Sequence, residues 1–351
     1  PQLLLSGLDS LYVSYYLDGL GFNWEDLDYR KEQLKQDRRQ DFINVTLGGK
    51  TWALMPYGKY PYQYVLRNAF FQIFLAKRNS PNCYVQFLSQ GLWTKGTDWL
   101  FSWLLNWFED IGCRQTRIET VARADFAYDF DLPLIDFTQD DFVSRAKKDN
   151  IWRENREFQS FIFGSGAIVV RVYDKIAEII QQSEKHWFYD LWGQDKDVWR
   201  VEFQTRRPQL KKIGINSLKE LHDFKGDILR ELATNHTSLR NPSEDSNRSR
   251  WPYHPLWQSL LKAIDQENQT GLIETFQPEN GLNYVLLHQL RSLYGDLKGL
   301  SALLSVIQCK NEPLNLDMLI EEVPKLLQGL HHPILWANDV QNRIDKRRMG
   351  K

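Results

Sequence analysis

Cysteine is scarce in this sequence, and long apolar runs are absent. Three cysteines, Cys83, Cys113 and Cys309, stand far apart in 351 residues and form no Cys-x-x-Cys pair. This spacing excludes a disulfide framework and a cysteine-based zinc site, and it fits a reducing compartment, so we expect a cytoplasmic protein. No apolar run approaches the roughly 18 residues that a membrane-spanning helix needs, and we therefore expect no membrane partner.

A surplus of charge of one sign is also lacking. The 44 Lys and Arg residues balance 45 Asp and Glu residues, which leaves a formal net charge of -1. Dedicated nucleic-acid binders often carry a large positive excess, so the bulk charge argues mildly against such a protein. Any nucleic-acid contact would then depend on local clusters of basic residues.

The sequence does contain ample core material, and its pattern changes along the chain. The apolar fraction is 42%, with 13 Trp and 19 Phe residues, an ordinary composition for a folded protein. Strand and helix patterns alternate over the first two-thirds, and helical periodicity prevails from about residue 255. The prediction is an α+β fold, a mostly antiparallel sheet with packed helices, followed by a helical C-terminal domain. The predicted boundaries are a domain over 1–238, a turn-rich linker over 239–254 and helices over 255–351, and one further helix is expected over 136–148.

One predicted strand, residues 123–130, places its charged residues on a single face. Side chains alternate between the faces of a strand, so Arg123, Asp125 and Asp129 point one way and the apolar residues point the other. Two carboxylates on one face repel each other unless a cation, a proton or an arginine intervenes. Hard oxygen ligands of this kind suit Mg²⁺ or Mn²⁺. The alternative is a solvated strand face with an Arg–Asp ion pair.

A second predicted strand, residues 198–205, repeats this pattern. Arg200, Glu202 and Gln204 share one face, and the apolar residues share the other. If the two strands are neighbours, Asp125 and Glu202 could meet on one metal ion. Taken by itself, the segment is an ordinary amphipathic strand.

The third motif is a tyrosine at the end of a predicted strand. Tyr173 is flanked by Arg171, on the same strand face, and by Lys175, just past the strand end. A phenol has a pKa near ~10, so a nucleophilic tyrosine needs cations or a polarised phosphate nearby. The alternative is a structural tyrosine with surface charges.

In their order and spacing, these motifs resemble the replication initiation factor family of plasmid and phage rolling-circle initiators, with the related relaxases of integrative conjugative elements. The resemblance extends from about Gly7 to Leu232. The order is an Arg-x-Asp-x-x-x-Asp strand, then a Phe-Gly-Ser hairpin leading into Arg-x-Tyr-[Asp/Asn]-Lys-x-x-Glu, then an Arg-x-Glu strand followed by basic residues. The matching residues are Arg123, Asp125, Asp129, Arg171, Tyr173, Asp174, Lys175, Glu178, Arg200 and Glu202.

This resemblance implies an enzyme that nicks one DNA strand. In that family a tyrosine attacks a phosphodiester and becomes linked to the 5′ end, leaving a free 3′-OH. Carried over, Tyr173 is the nucleophile, and Lys175 and Arg171 stabilise the pentavalent phosphate. The implied partners are DNA that is single-stranded at the nick, and also a helicase and a second copy of the chain. The implied ligands of Mg²⁺ or Mn²⁺ are Asp125, Glu202 and, as a weaker third, Asp129.

The sequence departs from other nicking enzymes in its metal ligands. Those enzymes use a His-hydrophobic-His motif, and none of the seven histidines here forms one. The departure favours a site made of carboxylates. For DNA contact, the sequence offers a compact basic cluster after the third motif, which we expect to bind phosphates. Its members are Arg206, Arg207, Lys211 and Lys212.

Two other classes of protein remain open at this point. One is a DNA-binding regulator on the same fold that has lost cleavage. The other is a structural or interaction protein with an aromatic core, which the near-zero net charge would suit. The joint presence of Tyr173, Asp125 and Glu202 favours the enzyme over both.

Overall fold

The structure, a computed structural model, describes residues 1–19, 23–36, 40–154, 156–267, 278–308 and 312–348. Contacts within the chain divide it into two units, Pro1–Ile273 and Glu274–Lys351. The strands lie in the first unit together with the helices up to residue 264, and the second unit is helical. This arrangement confirms the predicted α+β class and the helical character of the C-terminal part.

The strands carry the framework of the first unit. They are β1 (Gln2–Tyr15), β2 (Leu17–Asp18), β3 (Ile43–Leu47), β4 (Lys50–Leu54), β5 (Tyr64–Arg67), β6 (Phe71–Leu75), β7 (Cys83–Phe87), β8 (Arg114–Gln115), β9 (Thr120–Asp131), β10 (Phe142–Ser144), β11 (Asp149–Glu154), β12 (Glu157–Phe163), β13 (Ile168–Asp174), β14 (Val198–Arg206) and β15 (Thr237–Leu239).

The α-helices connect and cover these strands. They are α1 (Trp24–Gln36), α2 (Ser89–Lys95), α3 (Thr97–Asp110), α4 (Lys175–Glu178), α5 (Phe188–Trp192), α6 (Arg207–Lys212), α7 (Leu218–Asp223), α8 (Lys225–Glu231), α9 (Pro255–Ile264), α10 (Pro278–Ile307), α11 (Leu316–Leu327) and α12 (Pro333–Arg348).

One large antiparallel sheet positions the candidate site. Among the described residues, eleven strands pair in the order β11-β12-β13-β14-β9-β1-β7-β6-β5-β4-β3. The neighbours β13, β14 and β9 are the three strands that carry the sequence motifs, and each pair is antiparallel. Motifs that are distant in sequence therefore lie side by side at the middle of one half of the sheet.

The two faces of these strands differ as the alternation predicts. On the core face, Phe126, Tyr128 and Phe203 are buried, and the Phe203 ring lies 6.3 Å from that of Trp257 on α9. The opposite face, called the site face below, carries the charged residues of the motifs. Burial of the apolar side chains on the core face stabilises the strands. The site face can therefore carry charged residues.

The hairpin of β12 and β13 delivers Tyr173 to the edge of the site face. Its turn begins at Gly164, with φ of +92°, where a Cβ atom would lie 2.4 Å from the carbonyl oxygen of Ile168. Only glycine fits such a turn without strain. At the other end, the Asp174 carboxylate accepts a hydrogen bond of 3.0 Å from the backbone N–H of Ala177 and caps α4,. The strand therefore stops one residue after Tyr173.

The helix expected over 136–148 is wrong. Residues Gln139–Asp141 form a single 3₁₀ turn with a capping box between Thr138 and Asp141, and the chain then enters β10, which pairs with β15. Phe142 packs on Phe161 and other aromatic rings of the core. This tertiary packing overrides the local helical pattern.

The linker expected over 239–254 does not coincide with the division into units. Arg240 pairs with Tyr253 across an isolated bridge, and α9 buries Leu256 and Trp257 in the core of the first unit. The Trp257 indole N–H donates to the carbonyl oxygen of Ala233 at 2.7 Å. A turn-rich composition is shared by linkers and surface loops, so it could not place the boundary.

The second unit consists of α10, α11 and α12. The hydroxyl of Ser301 donates to the carbonyl oxygen of Leu314 at 2.6 Å, and the N–H of Leu314 donates to the hydroxyl of Ser305 at 3.0 Å. These bonds fix the approach of the chain to α11. Across the described residues, no helix combines the length and the apolar character needed to span a bilayer.

Candidate active site

Backbone pairing places three motif residues in one line across the site face. Arg200 on β14 lies opposite Tyr173 on β13 and opposite Asp129 on β9. Residues directly opposite each other in an antiparallel sheet point to the same face. The nucleophile candidate and the two charged residues therefore share a side of the sheet.

A second line of residues brings the two metal-ligand candidates together. Glu202 lies opposite Arg171 on β13, and Asp125 on β9 lies opposite Gln204, two residues along β14 from Glu202. Asp125 and Glu202 are thus diagonal neighbours on adjacent strands. The Cα atoms of such neighbours lie about 7–8 Å apart, and their Cβ atoms are somewhat closer. The condition set by the sequence, that these two strands be adjacent, is met.

Tyr173 is hydrogen-bonded to one of these acids. Its hydroxyl donates to Oε2 of Glu202 at 3.0 Å. Burial raises the pKa of the phenol well above its usual value, and the negative charge of Glu202 adds to this effect. The phenol is therefore protonated at neutral pH, and Glu202 lies where a base would have to be to receive its proton.

Each of the two acids is also paired with an arginine. The Arg171 guanidinium donates to Oε1 of Glu202 at 2.6 Å, and Arg123 forms a two-pronged pair with Asp125, with 2.8 Å between Nε and Oδ1. Burial raises the pKa of Asp125 to about 6; the bond from Arg123 opposes that shift, and the charge of Glu202 reinforces it. The site face thus holds two crowded carboxylates whose arginine partners are half-buried at its surface.

Lys175 contributes a buried cation beside the tyrosine. Its side chain is only 2% exposed and forms an ion pair with Glu178, and its Nζ lies 5.7 Å from the centre of the Tyr173 ring. Burial lowers the pKa of Lys175, and the positive charge of Arg200 lowers it further. Lys175 and Tyr173 line the same pocket.

Asp129, the weaker third ligand of the prediction, does not line the pocket with Asp125 and Glu202 and is paired with Arg200 instead. Both of its oxygens accept hydrogen bonds from Arg200, at 2.6 and 2.8 Å, and one also accepts from the indole of Trp192 at 2.9 Å. Arg200 in turn donates to Asp9 at 2.8 Å. We call Asp9, Asp129 and Arg200 the buried ion cluster; Asp129 and Arg200 in it are fully buried. The hydrogen bonds of the Asp129 carboxylate thus tie it to the buried ion cluster.

A pocket of about 590 Å³ opens on the site face. Tyr173, Asp125 and Glu202 line it, and so do the cationic side chains of Arg171 and Lys175. The pocket is therefore large enough for a nucleotide, and positive and negative groups meet at the tyrosine.

The donor set fits a hard divalent cation. Mg²⁺ is commonly held by one or two carboxylates, with water and substrate phosphates filling the other positions. Asp125 and Glu202 supply two such groups, and their mutual repulsion, which helps to raise the pKa of Asp125 to about 6, is what a divalent cation would relieve,. Across the described residues, no group of three His, Cys, Asp or Glu side chains is placed to hold a metal ion. A site here would depend on the substrate to complete it.

The predicted basic cluster divides into two parts. Arg206 ends β14 opposite Arg123, and Lys211 and Lys212 are exposed on α6. Arg207 instead donates to the backbone carbonyls of Val121, at 3.2 Å, and Ile215, at 2.8 Å. Its guanidinium holds the turn after α6, which sets it apart from the other three members of the cluster; that it contacts DNA phosphates stays a prediction.

The sequence patterns did not identify two features of this site. Asp9 enters the buried ion cluster because the register between β1 and β9 shifts between Leu8 and Ser10, and strict alternation cannot anticipate such a bulge. Trp152 lines the pocket from the edge strand β11. A lone tryptophan in the polar stretch 147–157 was the only signal for it.

Comparisons with known proteins add a similarity in chain path. No protein-family model and no curated protein matches the sequence. The solved structure of a rolling circle replication initiator protein from Geobacillus stearothermophilus is similar, with 20% sequence identity and a TM-score of 0.42, over 75% of this chain and 97% of that chain. At that TM-score the similarity decides nothing about the site, so its chemistry is argued from the side chains.

Proposed function

We propose that this protein nicks one strand of DNA by attack of Tyr173 on a phosphodiester, as a replication initiator or relaxase does. The observation that carries the proposal is the 3.0 Å hydrogen bond from the Tyr173 hydroxyl to Glu202, in a pocket that is also lined by four cationic side chains, Arg123, Arg171, Lys175 and Lys185. A nucleophile bonded to a base, with cations beside it, is the arrangement that covalent catalysis requires.

The reaction follows from the roles of these groups. The phenolic oxygen of Tyr173 forms a bond to phosphorus while its proton passes to Glu202. The bond between phosphorus and the 3′ oxygen breaks, and the departing 3′ oxygen takes up a proton from water. The products are a 5′-phosphotyrosine link and a free 3′-OH. Lys175 and Arg171 offset the negative charge that develops on the phosphate oxygens. Because the phosphotyrosine keeps the energy of the broken bond, the same site can rejoin DNA without ATP.

Asp125 and Glu202 are the residues that would hold Mg²⁺ or Mn²⁺. Such an ion supplies a Lewis acid that polarises the phosphate oxygens. Each carboxylate oxygen has two lone pairs, so Glu202 can accept from Tyr173 and serve as a ligand. Arg123 and Arg171, which now neutralise these acids, are the groups best placed to turn to a phosphate.

Phosphates farther along the strand would meet the rest of the basic cluster. Arg206 continues the site face beyond Arg123, and the exposed Lys211 and Lys212 follow on the next helix turn. Contacts of this kind position DNA without reading its sequence.

A covalent adduct with single-stranded DNA tests the proposal. The substrate is a pool of random-sequence oligonucleotides labelled at the 3′ end, incubated with Mn²⁺ and resolved in denaturing gels. We expect a labelled protein band with the wild type and none with Tyr173→Phe, because the variant lacks the attacking oxygen. A pool labelled at the 5′ end should give no labelled protein, since the 5′ fragment leaves with the free 3′-OH.

The matched control is Tyr84→Phe, which removes another half-buried hydroxyl, on β7. It should form the adduct as the wild type does. An adduct that persists in Tyr173→Phe would contradict the proposal, and the absence of any adduct with the wild type would favour a DNA-binding protein that does not cleave.

A further inference from the structure

The outer wall of the pocket is formed by residues that the proposed chemistry does not use. Trp152 on β11 lies opposite Ser160 on β12, and Ser160 lies opposite Tyr173 on β13. The three side chains therefore share the site face, and two strand spacings, about 10 Å, separate the backbones of Trp152 and Tyr173. Trp152 lines the pocket and is 62% exposed, so a ligand in the pocket can reach its ring.

A β-bulge turns a second side chain into the same wall. The register of β11 and β12 passes from Trp152 opposite Ser160 to Arg153 opposite Phe158, so Gln159 is the extra residue. Gln159 and Ser160 consequently both line the pocket, although neighbours in a regular strand face opposite ways,. Bulges redirect side chains in this manner near active sites.

One carboxylate fixes the amides of this wall. Glu154 accepts a hydrogen bond of 2.6 Å from the amide of Gln159 and one of 2.7 Å from the amide of Gln181. Each amide also carries a second N–H and a carbonyl oxygen, which are the groups that read the edges of bases. Gln181 lines the pocket as well, from the turn of helix after α4.

The charges of the two walls indicate different parts of a nucleotide. The inner wall, with Arg123, Arg171 and Lys175, suits phosphate. The outer wall has an aromatic ring and amides arranged around the negative charge of Glu154, which would repel phosphate but leaves a base unaffected. Stacking on an aromatic ring contributes about 1–3 kcal/mol per unpaired base.

We infer that Trp152, with Gln159 and Gln181, forms a subsite for one unpaired nucleobase beside the scissile phosphate. Trp152 stacks on the base, and the two amides contact its edge. The inference rests on the proposed function for the position of the phosphate, but the subsite itself requires only a bound single strand.

Binding of two probes that differ only in their bases tests the subsite. The probes are a 12-residue oligo(dT) and a 12-residue abasic oligomer with the same phosphates, and the protein is the full chain with Tyr173→Phe, which cannot cleave. We expect oligo(dT) to bind more tightly than the abasic oligomer. The one stacked base should contribute a factor of about 5 to 150 to the ratio of the two dissociation constants. Adding Trp152→Ala should reduce the ratio by that factor while the affinity for the abasic oligomer stays the same. Trp152→Phe should keep part of the ratio.

The matched control is Trp99→Ala, since Trp99 is another exposed indole, 42% accessible, on α3 and outside the pocket. It should leave the ratio unchanged. A ratio that Trp152→Ala does not lower, or that Trp99→Ala lowers as much, would overturn the subsite. Because these proteins do not cleave, a Trp152-dependent ratio without any adduct in the wild type would reject the nicking function and keep the subsite.

Discussion

The site face carries two pairs of acids in different surroundings. In the buried ion cluster, Asp9 and Asp129 share one fully buried arginine, and indole N–H groups complete their hydrogen bonds. Asp125 and Glu202 each have their own arginine, and the side chains of those two arginines are 23% and 30% exposed. We call the second pair, Asp125 and Glu202, the pocket carboxylates.

In the proposed function, this difference separates the acids that take part in the reaction from those that hold the sheet together better than burial does. Asp125 is almost as buried as Asp129, with side chains 3% and 0% exposed. The two acids differ in whether the arginine paired with them is free to move to another ligand. Arg200 is fully buried, whereas Arg123 and Arg171 line a pocket that would admit a phosphate. A carboxylate with an exchangeable partner can change its ligand during a reaction.

The largest effect expected from breaking this comparison is on catalysis, with Glu202→Gln. Glutamine keeps the shape and can still accept a bond from Tyr173, but it cannot take up the proton or offer a full charge to a cation. We expect the rate of adduct formation to fall about 10²- to 10⁴-fold, measured with the 3′-labelled pool. The free energy of unfolding should change by no more than about 1 kcal/mol, since the paired arginine is partly solvated.

The control for this change is Glu157→Gln, which neutralises an exposed acid on β12. It should alter neither the rate nor the stability. If Glu202→Gln formed the adduct at the rate of the wild type, Glu202 would be a structural acid, and the two pairs would be equivalent.

The next effect is on stability, with Arg200→Met. Removing this side chain leaves Asp9 and Asp129 buried without their shared cation, which typically costs about 3–5 kcal/mol. Arg171→Met, the matched change in the pocket, should cost about 1 kcal/mol or less. Urea unfolding followed by tryptophan fluorescence measures both. If the two variants lost the same free energy of unfolding, the arginine of the buried ion cluster and the arginine of the pocket would not differ in the way proposed.

Alternation within single strands predicted much of what the two pairs have in common. It put Asp125 with Asp129, and Arg200 with Glu202, on one face of each strand, and the structure confirms both placements. The hairpin around Gly164 was also predicted, because turn glycines are local signals. Such signals do not contain the order of strands in the sheet.

The division between the pairs could not be predicted, because it depends on contacts between distant residues. Asp129 was assigned to the metal because its strand pattern matches that of Asp125; nothing in that pattern shows that Arg200 and Trp192 occupy its oxygens. Arg207 likewise belongs to a basic run by composition, yet it holds backbone carbonyls. Whether a charged side chain already has its hydrogen-bond partners depends on tertiary contacts, and the pattern along a single strand does not show those contacts.

The smallest expected effect sharpens the comparison through pH, because the two pairs should respond with opposite signs. Burial raises the pKa of Asp125 from 3.8 to about 6. Its unfolded form therefore loses a proton before its folded form does, and the protein should lose stability as pH rises from about 4 to about 6, by about 3 kcal/mol at most.

Burial acts in the same direction on Asp9, but the charge of Arg200, with Lys185 and Lys175, outweighs it and lowers the pKa of Asp9. Stability from that group is present above its unfolded pKa, near 4, and is lost on acidification. In buffer with EDTA, Asp125→Asn should therefore stabilise the protein by about 1–3 kcal/mol more at pH 8 than at pH 4, while Asp9→Asn should destabilise it more at pH 4 than at pH 3. Urea titrations at these pH values measure both differences. Shifts of the same sign in the two variants would remove the electrostatic distinction between the buried ion cluster and the pocket carboxylates.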